Sequence, residues 1–138
     1  MAPEQIFSVV NLLALIGWIL LIVLPRQRWI AEVICGAAVP ALLAAAYIVL
    51  IAANWRGSSG GFSTLGDVGL LFRNPWLLLA GWTHYLAFDL LVGSWEVRDA
   101  RLRGINHLLV IPCLLMTFLF GPAGWLLYLG LRSARANT

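Results

Sequence analysis

Four stretches of this sequence are apolar for long enough to cross a membrane. They cover residues 6–24, 29–53, 75–95 and 107–131. Each approaches the ~20 residues that span a hydrocarbon core of roughly 30 Å at 1.5 Å per helical residue. Lipid offers backbone N–H and C=O groups no water, so such runs must bond within themselves as helices. The expected fold is all-α: an integral membrane four-helix bundle forming a single domain of 138 residues. A soluble helical protein would have to hide the same uncharged runs in a core. Composition opposes that, with 62% apolar and 11% charged residues, far from the usual soluble balance.

Local signals set the boundaries. Pro25, with Arg26 and Arg28, stops the first run, and Asn74-Pro75 supplies an N-cap and a first-turn proline for the third. Pro40, Pro112 and Pro122 each remove a helical hydrogen bond, and "FGPAG" at 120–124 is the favoured bend. Between the second and third runs, 57–61 has flexible-linker chemistry. Thr64 with Asp67 then resembles a capping box, and Leu65, Val68, Leu71 and Phe72 follow at helical spacing. A short interfacial helix is expected there. Trp18, Trp29 and Trp95 are expected near one membrane interface, and Trp55, Trp76 and Trp125 near the other. Cys35 and Cys113 lie inside apolar runs, so they read as small apolar residues rather than a disulfide framework. The amino terminus has no basic region, and its apolar run ends in "LPRQRW", so no cleavable signal peptide is expected.

All nine basic residues are arginines, against six acids. They lie in short clusters between the runs, which suits lipid headgroups and not nucleic acid. Four crossings place both termini and the long loop on one side, A, with Arg56, Arg73, Arg132 and Arg135. The two short loops fall on side B with Arg26, Arg28, Arg98, Arg101 and Arg103. The positive-inside rule then leans towards a cytoplasmic side B, with both termini outside, in a bacterial inner membrane. The bilayer is the expected partner, and a homo-oligomer is compatible with the pattern.

The third run, "GWTHYLAFDLLVGSWEVRDA" at 81–100, carries ionisable residues where charge is expensive. Counting from the ends of the runs, Asp89 lies about 10 Å from side B, with Glu96 at that surface. Glu32 is one turn inside, and Asn106 and His107 stand at the mouth of the fourth run. With Asp99, these residues gather in the B half, while Asn11 and His84 lie deeper or towards A. At about 100° per residue, Tyr85, Asp89, Val92 and Glu96 share one helix face, continued by Trp82. His84 is roughly 140° away from Asp89, so the two cannot chelate one metal from a straight helix. Bland roles are available throughout. Asp89 can pair with Arg98, Arg101 or Arg103, His84 can glue helices, and His107 can cap its helix. Glu96 and Asp99 alternate with arginines as in a solvated loop. No phosphate loop or Cys-x-x-Cys motif is present, and no metal site is expected.

The motif "WTHYLAFDL", the later Arg98-Asp99 and "NHLLVIPCLLMTFLFGPAG" resemble the abscisic-acid-deficient-four-like family. These are small four-span membrane proteins of plants and bacteria. The plant member is required to make neoxanthin, an allenic carotenoid, from the epoxide violaxanthin. The resemblance implies a neoxanthin synthase-like isomerase of carotenoid biosynthesis that needs no cofactor, its substrate a carotenoid or related isoprenoid lipid. Opening an epoxide to an allenic alcohol delivers one proton to oxygen and removes another from the polyene, without redox change. Carboxyl and imidazole groups can move such protons. The candidate catalytic residues are Asp89, His84, His107 and Asp99, with Trp82, Tyr85, Glu32 and Glu96 as substrate-binding residues. The alternative is a non-enzymatic membrane module that binds pigment or lipid, or supports a pigment-processing complex.

Overall fold

The computed structural model describes residues 1–136 and is all-α. Helix α1 covers Pro3–Val23 and α2 covers Ile30–Asn54. Next come the short α3 (Leu65–Leu71), the long α4 (Pro75–Leu102), and then α5 (His107–Phe120) and α6 (Pro122–Ala136). Three helices, α1, α2 and α4, are long and apolar enough to cross a membrane. Helix α4 is the central post and packs against α1, α2, α5 and α6. Its close approach to α1 depends on two glycines. A Cβ on Gly93 would lie 2.5 Å from the Trp18 ring, and one on Gly17 would lie 2.9 Å from Leu90. Trp18 is therefore buried in the core, against Phe118 and Gly93, and not at an interface.

Helix α2 begins as a π-helix over Ile30–Ala38 and continues as an α-helix over Val39–Asn54. Pro40 has no N–H to donate, so the regular ladder already has a gap here. The turns ahead of it are wide, with Val39 N–H bonding Ile34 O five residues back. Helix α3 is capped as expected, Thr64 Oγ1 accepting from Asp67 N–H at 3.1 Å. Leu71 is buried beneath it, while Leu65, Leu70 and Phe72 remain exposed.

The fourth apolar run departs from expectation. It is not one rod over 107–131 but two half-length helices that double back at Gly121. Thr117 O accepts the Gly121 N–H, the last bond of α5, and Gly121 O starts α6 by accepting from Trp125 N–H. Gly121 has φ +35° and ψ −91°, a conformation that side chains disfavour. Gly124 lies so close to Thr117 that a Cβ would collide with the Thr117 backbone and hydroxyl. Leu109, Pro112 and Cys113 of α5 line one groove with Leu126, Gly130 and Ala134 of α6, the pairing of an antiparallel hairpin. Helix α6 thus returns to the end of the molecule where α5 began. Tyr128 and Arg132 reach Asp99 near the carboxyl end of α4. The start of α1 lies beside the start of α4, where Pro3 and Glu4 share a groove with Pro75, while the second half of α6 lies beside the end of α4. The chain thus enters and leaves the described bundle at opposite ends of α4, unlike the expectation that both termini share a side. The 14 residues of α5 span about 21 Å, less than a hydrocarbon core.

Candidate functional site

Asp89 faces the tip of this hairpin. Its carboxyl group packs on Gly121, where a Cβ would lie 2.6 Å from Oδ1 and 3.3 Å from Oδ2. Any side chain at 121 would meet the carboxylate as well as an unfavourable φ, so glycine is required twice over. Asp89 Oδ2 is buried and has no hydrogen-bond partner. One turn earlier, the Tyr85 hydroxyl donates to Leu119 O at 3.1 Å and lies 3.5 Å from Phe118 O. These carbonyls belong to the last turn of α5, which lacks onward donors. Pro122 stands where an N–H would otherwise bond Phe118 O. Tyr85 therefore caps the hairpin tip and holds it against α4.

Two turns beyond Asp89, Glu96 is fully buried. Its Oε1 accepts from Thr117 Oγ1 at 2.8 Å, while Oε2 has no partner. The sequence places Glu96 at a surface, because the third apolar run ends at Trp95. Helix α4 in fact continues to Leu102, so Glu96 remains within the packed interior. Asp89 and Glu96 are seven residues apart on α4, yet they face Gly121 and Thr117, four apart on α5. The hairpin thus brings two carboxyl groups to one short stretch of backbone. Sequence reasoning misses Thr117. It is the single hydroxyl side chain of 108–120, a signal visible without coordinates.

On the amino-terminal side of Tyr85, the hairpin stops while α1 and α4 continue. Roughly 15 Å of α4 lies beyond the tip. There Trp82 Nε1 donates to Asn11 Oδ1 at 3.0 Å, and the Trp82 ring meets Phe7 at 5.8 Å and Tyr85 at 5.3 Å. Trp82, Phe7, Leu78 and Leu79, with Pro3, Glu4 and Pro75, line a groove of about 300 Å³. Trp82 is 40% exposed and Phe7 44% exposed. The groove is almost wholly apolar at its walls, and the Trp82 ring stands between it and Tyr85.

The remaining candidates lie elsewhere. His84 is exposed and sits between Tyr47 (5.6 Å) and Phe88 (4.8 Å), on the α2 side of α4. It is not brought to Asp89, in keeping with its angular offset. His107 is at the opposite end, its Nε2 3.0 Å from Ile22 O. Glu32 is exposed and pairs with Arg101 at 3.6 Å. Asp99 is held by Arg103 (3.0 Å), Arg132 (3.4 Å) and the Tyr128 hydroxyl (2.7 Å). The expected cluster of Glu32, Asp89, Glu96, Asp99, Asn106 and His107 is therefore divided. Only Asp89 and Glu96 share the hairpin site. Among the described residues, no three His, Cys, Asp or Glu side chains stand together to hold a metal ion.

With this geometry in place, the comparison with known families is decisive. A model described as ABA DEFICIENT 4-like matches residues 5–128. The chain belongs to that family. The match takes in α1 and α2 as well as the third and fourth runs that carry the resemblance, so Phe7, Asn11 and Glu32 lie within it along with Trp82, Asp89 and Gly121. No curated protein and no solved structure gives a match. Membership in the ABA DEFICIENT 4-like family suggests a role in carotenoid- or neoxanthin-related processes.

Proposed function

We propose that this ABA DEFICIENT 4-like protein is an intramembrane isomerase acting on an oxygenated carotenoid or related isoprenoid. The observation that carries the reading is the Asp89 carboxyl group at the hairpin tip, one oxygen buried and unpartnered, on the same helix as an apolar groove that ends at Trp82 about two turns away. A carboxyl group so held has capacity left for a ligand and is costly to leave unsatisfied. The half-length hairpin leaves the amino-terminal half of the α1–α4 face uncovered, and a long apolar substrate can lie there. Its terminal ring would reach Tyr85 and Asp89 past Trp82. In the epoxide reaction, Asp89 in its acid form gives a proton to the epoxide oxygen as the C–O bond breaks. A proton then leaves the adjacent polyene carbon as the new double bond forms. Glu96, one Thr117 hydroxyl away from the hairpin backbone, is the second carboxyl group available to accept it. Tyr85 positions the tip, and no redox partner is required by the balance.

In this reading the chain crosses the bilayer three times and inserts α5–α6 as a re-entrant hairpin. A helix break at membrane depth is tolerated where protein buries it and satisfies its backbone; here the Tyr85 hydroxyl bonds a freed carbonyl and Asp89 packs on Gly121. The returning α6 also moves Arg132 and Arg135 to side B. Seven arginines then lie at side B and two, Arg56 and Arg73, at side A, and the positive-inside rule supports a cytoplasmic side B. Reporters fused to the two ends should read opposite sides of the membrane. Matching locations would remove the re-entrant topology.

The activity is tested with the purified full chain in lipid nanodiscs, supplied with an epoxide-bearing carotenoid. An allenic alcohol of unchanged mass is expected. The same carotenoid without its epoxide oxygen should be returned unaltered. A non-enzymatic pigment-binding module would retain both pigments and convert neither.

A further inference from the structure

A second cavity, of about 1010 Å³, opens at side B. It lies between the end of α1, the last turns of α4 and the start of α5, far from the hairpin tip. Its walls are Ile22, Leu24, Val97, Ile105, Leu108 and Ile111, and its polar groups include Arg26, Arg101 and His107. No carboxylate is among its lining residues. Arg101 is held across the opening by Pro25 O at 2.9 Å and by the exposed Glu32 at 3.6 Å. His107 is held by Ile22 O at 3.0 Å. Two arginines and a histidine therefore line a space that is otherwise walled largely by aliphatic side chains. The long and exposed contact with Glu32 is weak enough to yield to a better anion.

We propose that this cavity binds the phosphate of an anionic phospholipid headgroup. This rests on the membrane placement given above, but not on any catalytic role for Asp89. Arginine offers planar paired donors that match phosphate oxygens. The aliphatic walls suit the glycerol backbone and first chain carbons that accompany a headgroup and would be unfilled by a free ion. The position, at the helix ends and among the arginines of side B, is the level at which headgroups lie. The bound lipid would join the α1–α2 connection to the α4–α5 connection and so brace the root of the hairpin.

The test uses the full chain in mild detergent, with native mass spectrometry to count retained lipids. Phosphatidylglycerol is compared with an uncharged galactosyl diacylglycerol of the same acyl chains. Phosphatidylglycerol should be retained preferentially, and Arg26→Gln should weaken it by roughly fivefold, the usual weight of one basic side chain near an anionic surface. Arg101→Lys should weaken it further. Arg73→Gln, at the other end, should leave retention unchanged and so report on non-specific charge. Because Arg101 also braces Pro25, the exposed Arg26 is the deciding variant. Equal retention of the two lipids, unaffected by Arg26→Gln, would overturn the proposal. Displacement of the lipid by millimolar inorganic phosphate, with the ion then bound alone, would overturn the lipid assignment in favour of a free anion. Either failure can occur while carotenoid conversion persists, which keeps this inference separate from the enzymatic reading.

Discussion

Helix α4 carries three acids in eleven residues, and they live in opposite circumstances. Asp99 has one oxygen, Oδ2, surrounded by Arg103, Arg132 and the Tyr128 hydroxyl. Asp89 and Glu96 each keep a buried oxygen with no partner. The first arrangement uses the carboxylate's acceptor capacity to tie α6 to α4 beside Trp95, whose ring Arg132 also approaches. The second leaves capacity unused where water is scarce, which costs stability. Glu96 falls between the two, one oxygen tying α4 to α5 through Thr117 and the other unpartnered; in the proposed reading the free oxygens await a ligand or a proton.

The largest effect that can break this comparison is on turnover. Asp89→Asn keeps the shape at Gly121 and removes the titratable carboxyl proton, so carotenoid conversion should fall by roughly two to four orders of magnitude, with pigment binding largely kept. Full conversion by that variant would end the catalytic assignment. Its thermal unfolding midpoint should stay level or rise. Asp99→Asn should behave in the reverse sense. It removes the charge that Arg103 and Arg132 face, and should cost ~2 kcal/mol of stability, read as a lowered unfolding midpoint, while turnover per folded molecule changes little. If the two variants lost stability equally, the distinction between fastening and reacting carboxylates would fail. The smallest effect sharpens the contrast along another face of the same helix. His84→Gln, at an exposed site beside Tyr47 and Phe88, should alter turnover by less than about twofold, far below a general acid–base contribution. A loss as large as that of Asp89→Asn would instead require a proton path linking the two faces of α4.

Residue spacing alone placed His84 away from Asp89, and Tyr85, Asp89 and Glu96 on one face, because helical geometry fixes angles along a single helix. It could not place Glu96 in depth. That depended on where α4 stops, and a stretch of alternating acids and arginines reads as solvent when its partners are unknown. Thr117 and Tyr128, which come from α5 and α6, make those acids interior, and neither residue is near them in sequence.

The sequence by itself determined the all-helical character, the capped α3 and the break near Gly121, since each follows from local chemistry. Apolar length demands helices in lipid, Thr64 caps by its own hydroxyl, and Gly-Pro interrupts a ladder wherever it falls. Only the tertiary structure decided what the break does. A bend at Gly121 could have led onward to side A or back to side B, and the backbone there permits a turn without choosing its direction. The direction is set by contacts between distant segments: Gly124 on Thr117, Tyr128 and Arg132 on Asp99, and Tyr85 on the freed carbonyls of α5. Those contacts turn an expected single fourth rod into a hairpin of two half-length helices, and they leave Asp89 against its tip.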